Sequence, residues 1–435
     1  MRYFSNVSAL QFFHLLRFAS LILIGVILAQ SGYQTEEIGQ YELFFFLANV
    51  VGFFWVMGLN NGLMSYFPKL ESRQQDRFFF NLGVLLTICG FVASCGLLVF
   101  EDQVLTLLGS DSEQLDYKFW IMTYMILSAS GNFTEYFYLL RHQAGAISTY
   151  GVVLFTAQLS LITIGVILGF EVKGLIQLMV LWSLLKFLWF WITIARKGDL
   201  VLDFKMQWVF LGFSLPLILH MLLGNGMEYV DGFLVNYFFD EAAFAQFRYG
   251  ARELPLVSVL VGAISTALIP VAVNDMSTAL RQVRDRISRF SRVLFPISIA
   301  LMLTSGFIYP LIYGDSFRIS AQVFNVYLLI ISSRVLMPQV VVFARHNNRV
   351  LMISALIELV VNIFLSIYFL KLFGIIGIAW ATVIAFLVNK LILSVYIWRK
   401  HKIPPSDYIN LKQYAIWLSL LIITYYISTL YNFAI

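Results

Sequence analysis

The residues able to do chemistry in this chain are few, and most sit where charge is costly. Arg248 and Arg252 lie one helical turn apart, followed by Glu253, inside the apolar run "FAQFRYGARELPLVSVLVGAISTALIPVAV" (244–273). An ionised side chain inside a bilayer costs at least a few kcal/mol, so its presence there needs a reason. Asp231 lies at nearly the same depth as Arg252 across the 239–246 hairpin, and Glu228 lies one turn deeper on the same face. A salt bridge from Arg252 to one of these carboxylates is expected, because pairing lowers the cost of a guanidinium in hydrocarbon. The same arginine is suited to phosphate, being always ionised and able to donate two parallel hydrogen bonds. A pair that opens when phosphate competes for the arginine would be a gate.

Other ionisable residues are scattered through similar runs. Arg17 lies ~10 Å along the first run from its cytoplasmic end, at about 1.5 Å per residue, either facing an interior cavity or snorkelling to the surface. Arg334 and Glu358 stand level within about one turn and are read as an ion pair within one lobe. Lys186 and Lys390 each precede, by roughly three turns, the basic pair that ends their helix; they are read as cavity-lining or as snorkelling part-way. Glu135 has no evident partner in the sequence and is a candidate for proton or Na+ coupling, as is His220. No other cofactor is implied, and no cluster has metal-ligand spacing.

The elements that position these residues are membrane helices. Of 435 residues, 60% are hydrophobic and 12% charged, and mean hydropathy is +0.82. A soluble chain would carry about twice that charge. Apolar runs long enough to cross a ~30 Å hydrocarbon core recur throughout. The expected spans lie near 9–30, 41–67, 78–100, 117–141, 150–170, 174–195, 208–239, 246–273, 290–313, 320–344, 350–370, 374–398 and 413–432. A β-barrel would instead show short alternating segments. The fold class is an all-α polytopic membrane protein of about thirteen transmembrane helices. Cys89 and Cys95 share one apolar run and are expected as core residues rather than a disulfide.

The loops sort by charge. One alternating set, with Arg2, holds nineteen Lys or Arg residues, and the other holds only Lys118, Lys173, Arg318 and Lys371. That bias places the rich loops and the N-terminus in the cytoplasm. The basic connector 274–289 is expected as a short helix on the cytoplasmic surface. The net charge of +5 thus reflects topology and implies no nucleic acid.

Features recur at an offset of about 203 residues. "SYFP" ends at Pro68 and "ALIP" at Pro270; Gly174 to "ARK" (195–197) is matched by Gly377 to "WRK" (398–400). Six spans per repeat is an even number, so the repeats are parallel and a substrate site is expected between them. The expected organisation is a six-helix lobe at 1–206, a second at 207–398, and a basic loop with a peripheral transmembrane helix at 399–435.

The stretch "LVVNIFLSIYFLKLFGIIGIAWATVIAFLVNKLILSVYIWRK" (359–400) resembles the eleventh and twelfth helices of polysaccharide (O-antigen and capsule) flippases. These belong to the multidrug/oligosaccharidyl-lipid/polysaccharide exporter superfamily. "GLNNGLMSYFPKL" (58–70) and "ISTALIPVAV" (264–273) share the likeness. The resemblance implies two six-helix lobes around a central cavity that opens alternately to each side. It implies a polyprenyl-diphosphate-linked oligosaccharide as substrate, moved to the outer leaflet of the bacterial inner membrane, with polysaccharide assembly enzymes as partners. Related lipid II flippases place cavity arginines on their first, second and eighth helices. Arg17, Arg248 and Arg252 match that pattern, whereas the second span carries only Glu42 and a terminal Lys69, which favours the polysaccharide branch. The alternative is a cation-coupled multidrug antiporter, whose cavity would favour acidic residues. A membrane polymerase or ligase would need a long external loop and a catalytic motif, neither of which is evident.

Overall fold

The computed structural model describes residues 6–103, 117–197, 199–252, 255–345 and 347–434. Among these residues it is helical throughout, without a strand. Eight helices are long and apolar enough to cross a membrane, and a bent pair over Thr35–Gly52 and Phe54–Lys69 makes a ninth. The other four expected spans are present as broken helices, and the breaks follow local chemistry.

The described residues group into two compact units, Met1–Gly226 with Asn236–Ala242, and Met227–Val235 with Ala243–Ile435. The first unit contains α1 (Asn6–Gln30), α2 (Thr35–Tyr66), α3 (Ser72–Val99), α4 (Lys118–Gly131), α5 (Thr134–Leu140), α6 (Ala144–Ile167), α7 (Val172–Lys197) and α8 (Phe204–Asn225). Here α1 packs on α6, α2 on α8, and α4 on both α3 and α7. The α2–α8 approach is close because Gly58 and Gly62, one turn apart, face the Ile218 backbone and the Ser214 side chain. Small residues at such spacing let membrane helices approach where lipid gives no hydrophobic drive. The chain leading into α8 is tied to α3: Asn81 Nδ2 donates to the Val201 carbonyl at 2.9 Å, and Asn81 Oδ1 accepts from the Asp203 amide at 2.7 Å. Asp203 also caps α8, accepting from the Met206 amide at 3.0 Å.

The second unit continues with α9 (Met227–Phe238), α10 (Glu241–Gly250), α11 (Pro255–Asn274), α12 (Met276–Tyr313), α13 (Arg318–Leu328), α14 (Ile331–Arg334), α15 (Gln339–Ala344), α16 (Asn348–Phe373), α17 (Ile375–His401), α18 (Pro405–Tyr408) and α19 (Leu411–Ala434). The first residues of α10 and the last of α9 group with the other unit. The α16–α17 hairpin turns at Gly374, whose φ of 59° suits a residue without a Cβ. The thirteenth expected span, α19, packs along α12 and α13. Tyr414 Oη donates to the Ser332 carbonyl at 2.8 Å, Asn325 Nδ2 donates to Ser428 Oγ at 3.2 Å, and Trp417 stacks on Phe295.

Two expectations change here. The basic connector 274–289 is not a separate surface helix: Asp275 caps a continuous 38-residue α12. At 1.5 Å per residue this is about 57 Å long, well beyond a hydrocarbon core, so the part carrying the exposed Arg281, Arg284, Arg286, Arg289 and Arg292 extends outside it. The eighth span, expected as one helix over 246–273, is α10 and α11 with a break before Pro255. Proline lacks an N–H and crowds the carbonyl four residues back, and it is tolerated where a helix begins. The fourth span breaks after Gly131, the seventh at Gly226 and the tenth around Pro338. Cys89 and Cys95 are both free thiols of intermediate burial.

Candidate functional site: buried charges at broken helices

In the first unit the break between α4 and α5 organises the charge. Lys186 of α7 is 5% exposed; its ammonium donates to Asn132 Oδ1 at the break and lies 4.5 Å from the Trp182 ring centroid. Glu135, 4% exposed, sits in the first turn of α5, where the helix dipole favours a carboxylate. Glu135, Lys186 and Arg17 of α1 lie within electrostatic reach of one another. Arg17 is itself exposed. Glu135, which showed no partner in the sequence, thus has two cations near it. Its neighbours are 51 and 118 residues away, a separation that helical periodicity cannot read.

The second unit repeats the motif with different residues. Lys390 of α17 donates to Gln339 Oε1, at the start of α15, at 3.0 Å. Arg334, the last residue of α14, lays its guanidinium 4.1 Å from the Phe386 ring centroid. Glu358 of α16 lies within electrostatic reach of both Arg334 and Lys390. Trp182 and Phe386 are 204 residues apart, as are Lys186 and Lys390. In each unit a lysine reaches an amide oxygen at a broken helix, an aromatic ring one turn earlier carries a cation, and two cations stand against one carboxylate.

A third cluster surrounds Asp231 of α9, which is 2% exposed. Its carboxylate accepts from Thr382 Oγ1 at 2.5 Å, from Tyr327 Oη at 3.1 Å and from Asn362 Nδ2 at 3.3 Å. Sequence reasoning named Asp231 but not these donors, which come from α13, α16 and α17. The polar Asn362 and Thr382 inside apolar runs were the available signal. Arg252 lies just past the C-terminal end of α10, a position that favours a cation, with its guanidinium 4.6 Å from the Tyr249 ring centroid. Arg248 is half-buried in the last turn of α10. Glu253 and the side chains of Glu228 and His220 lie outside the described residues.

Helices broken inside the membrane, with charged side chains gathered at the breaks, define a membrane transporter: irregular backbone at that depth is tolerated only where protein or a water-filled path satisfies it. The known proteins agree. A family model described as "Lipid II flippase MurJ" matches residues 119–434, well over half of the chain, and the chain belongs to that family. A solved lipid II flippase MurJ in an inward closed conformation superposes with a TM-score of 0.70 at 18% identity, over 96% of this chain and 97% of that one. An inward-facing MATE multidrug resistance transporter of the MOP superfamily gives 0.64 at 16% identity, over 88% of this chain and 94% of that one. A MOP superfamily transporter from Pyrococcus furiosus, whose binding pocket is described as having reversed polarity, gives 0.55 at 15% identity, over 92% and 96%. At these identities the structures speak to the fold. No curated protein sequence matches the chain. The matched family is thus the lipid II flippase family; the expected narrower placement among O-antigen and capsule exporters is not what the match returns.

Proposed function

We propose that the chain is a flippase that moves a polyprenyl-diphosphate-linked saccharide from the cytoplasmic to the outer leaflet of a bacterial inner membrane, with its N-terminus in the cytoplasm. One observation carries this reading: each unit gathers two cations against one carboxylate at a broken helix, Arg17 and Lys186 with Glu135, and Arg334 and Lys390 with Glu358. A diphosphate needs a cationic, hydrated path, because its charge in hydrocarbon is prohibitively costly. An antiporter of organic cations needs the opposite balance. In each cluster the cations outnumber the carboxylate by two to one. Arg17, Arg248 and Arg252 are the proposed headgroup ligands, with Lys186 and Lys390 supporting the breaks beside them. No catalytic step is required of any residue.

The family's name points to lipid II as one substrate. The second span favours a surface-polysaccharide repeat unit instead, since α2 holds no lysine or arginine. The test is reconstitution in liposomes with two fluorescent polyprenyl-diphosphate donors, one bearing the peptidoglycan disaccharide-peptide and one a neutral oligosaccharide. Outward movement of the oligosaccharide donor supports the polysaccharide reading. Movement of lipid II alone moves the substrate to peptidoglycan, and movement of neither donor refutes the flippase reading.

Asp231 supports a coupling role in this cycle. Asn362, whose amide donates to this carboxylate, has a buried Oδ1 that accepts no hydrogen bond among the described residues, and the buried hydroxyl of Ser366, one turn along α16, likewise makes none. A carboxylate beside the neutral oxygens of Thr382, Tyr327 and Asn362 suits a proton or a small hard cation. That reading moves ion coupling from Glu135 and His220 to Asp231, and predicts that flipping responds to a Na+ or proton gradient.

A further inference from the structure

A cavity of about 630 Å3 opens in the second unit between α13, α16, α17 and α19. Five aromatic side chains, Phe369, Phe373, Trp380, Tyr425 and Tyr426, stand in its wall. Phe373 is 57% exposed and Tyr426 66%, so these two rings form its rim. Tyr426 shares a helix face with the exposed Ile422 and Leu430, the face that α19 turns to lipid. The lining reaches nine residues in from the helix ends beside the α16–α17 turn, to Ile384 on α17 and Tyr425 on α19. At about 1.5 Å per residue this is ~14 Å deep, close to half of a ~30 Å hydrocarbon core. The cavity therefore spans one leaflet, the outer one in the topology proposed above.

Inside a bilayer such a cavity takes whatever fits it best, since a lining without neighbours forfeits its dispersion contacts. Water and saccharide fit poorly, because Asn325 and Thr429, polar groups of the wall, are already engaged. Asn325 accepts from Ser305 Oγ at 2.7 Å and donates to Ser428 Oγ at 3.2 Å. Thr429 Oγ1 donates to the Tyr425 carbonyl at 2.8 Å. An apolar chain needs none of these groups. At a water's share of liquid volume, ~30 Å3, the space takes roughly twenty non-hydrogen atoms, the size of one acyl chain. A pair of opposite charges stands at the mouth. Arg318 opens α13 and lies one turn before Gln322 of the wall, on the same helix face. Its guanidinium donates to Asp315 at 2.9 Å, and the two side chains remain 47% and 82% exposed. A diphosphate would be repelled by the Asp315 carboxylate. A zwitterionic headgroup is met by both charges.

We propose that this cavity holds one acyl chain of a phosphatidylethanolamine molecule of that leaflet, with the lipid's phosphate at Arg318 and its ammonium at Asp315. The bound lipid joins α19 to α13, α16 and α17 along a seam that the aromatic side chains line. The site stands apart from the cargo: it requires no flipping and uses none of the residues assigned to the headgroup path.

The test uses the purified, delipidated full chain and reads its thermal unfolding midpoint as palmitoyl-oleoyl phosphatidylethanolamine is added at fixed detergent. A ligand that binds only the folded state raises the midpoint with its concentration. The expected result is a saturable rise. Phosphatidylglycerol with the same chains is expected to need a concentration about two- to fivefold higher, the size of effect an exposed charge pair gives. Asp315→Lys is expected to reverse that preference. Ile384→Trp, which fills the deep end, is expected to raise the half-effect concentration by about tenfold or more; if it does not insert, Thr429→Phe on α19 takes its place. Native mass spectrometry is expected to show one phosphatidylethanolamine retained by the parent and none by the filled variant. Four results would each overturn the proposal: no rise with phosphatidylethanolamine, an equal response to both lipids in the parent and in Asp315→Lys, a rise that survives filling of the cavity, or a rise with a polyprenyl diphosphate alone. The last would give the cavity to the tail of the cargo.

Discussion

Lys186→Met removes a buried charge while keeping the length of the side chain, and the structure sets the size of the effect. Lys186 is 5% exposed, Glu135 beside it 4%. Removing one partner of a buried pair leaves an uncompensated charge and costs about 3–5 kcal/mol. Asn132 Oδ1 at the α4–α5 break loses its donor, and an unsatisfied buried acceptor costs about 1–3 kcal/mol. Against this, Arg17 still stands near Glu135, and a methionine packs well against Trp182. The expected net loss is about 3 kcal/mol, near the lower end of the pair cost. Adding Glu135→Gln removes the orphaned carboxylate, and the double variant is expected within about 1 kcal/mol of the parent, since buried ion pairs often exchange for neutral groups at little cost. Denaturant unfolding in mixed micelles measures both. A single variant as stable as the parent, or a double variant whose loss equals the sum of the two single losses, refutes the pairing. Flipping assays then separate structure from function. If Lys186 only supports the break, the double variant recovers transport with stability; if it also meets phosphate, stability returns and transport does not.

Other outcomes follow from the same geometry. Gly58→Leu is expected to lose at least about 1–3 kcal/mol by overpacking, because a Cβ there would stand 2.5 Å from the Ile218 Cα; Gly212→Ala, which meets nothing within 4 Å, should be neutral or gain up to about 1 kcal/mol, and micelle unfolding compares them. Asp231→Asn is expected to abolish the dependence of flipping on a Na+ or proton gradient in proteoliposomes, with the protein still inserted; an unchanged gradient dependence removes Asp231 from coupling. Arg17→Lys is expected to retain part of the export lost in Arg17→Ala, lysine keeping the charge but not the bidentate fork; full export in both variants at matched expression excludes Arg17. At the cap of α12, hydrogen bonds from the Thr278 and Ser277 side chains, then from their amides, hold the Asp275 carboxyl at about pKa 2. A lowered pKa stabilises the fold above the unfolded value of 3.8, and that stability is lost as pH falls toward 2. Thermal unfolding between pH 4 and 2 should fall less steeply in Asp275→Asn.

Hydropathy carried the helices because each span must satisfy its own backbone and turn an apolar surface to lipid. The continuous spans α1, α3, α6, α7, α16 and α17 lie close to their expected positions. The broken spans were less legible, since a run such as 246–273 keeps its hydropathy whether or not it is one helix. Pro255 was the local signal in that run, Gly131 with Asn132 in the fourth span, and the pair Gly224 and Gly226 in the seventh. Pairing was least legible. Depth arguments reach only across a short hairpin, whereas Asp231 meets Thr382 across 151 residues and Lys186 meets Asn132 across 54. Such contacts depend on which helices neighbour one another, and an apolar sequence does not encode neighbours in its periodicity. The repeat is the more legible feature: Lys186 and Lys390, at related places in the sixth and twelfth spans, each donate to an amide oxygen at a broken helix.

That relation also sorts the charges. A helix broken inside hydrocarbon leaves backbone groups that water cannot reach, so polar side chains from continuous neighbours must meet the break. Lys186 at Asn132 and Lys390 at Gln339 do this; both lysines would be needed in a protein that carried nothing. Glu135 and Glu358 then balance the lysines, as burial of an unpaired ammonium is costly. Beyond these pairs the first unit carries Arg17, and the second carries Arg252, Arg334 and the buried carboxylate of Asp231, which Thr382, Tyr327 and Asn362 hold. The flippase proposed above would use Arg17 and Arg252 for its anionic cargo, since a guanidinium offers phosphate two parallel hydrogen bonds that an ammonium does not.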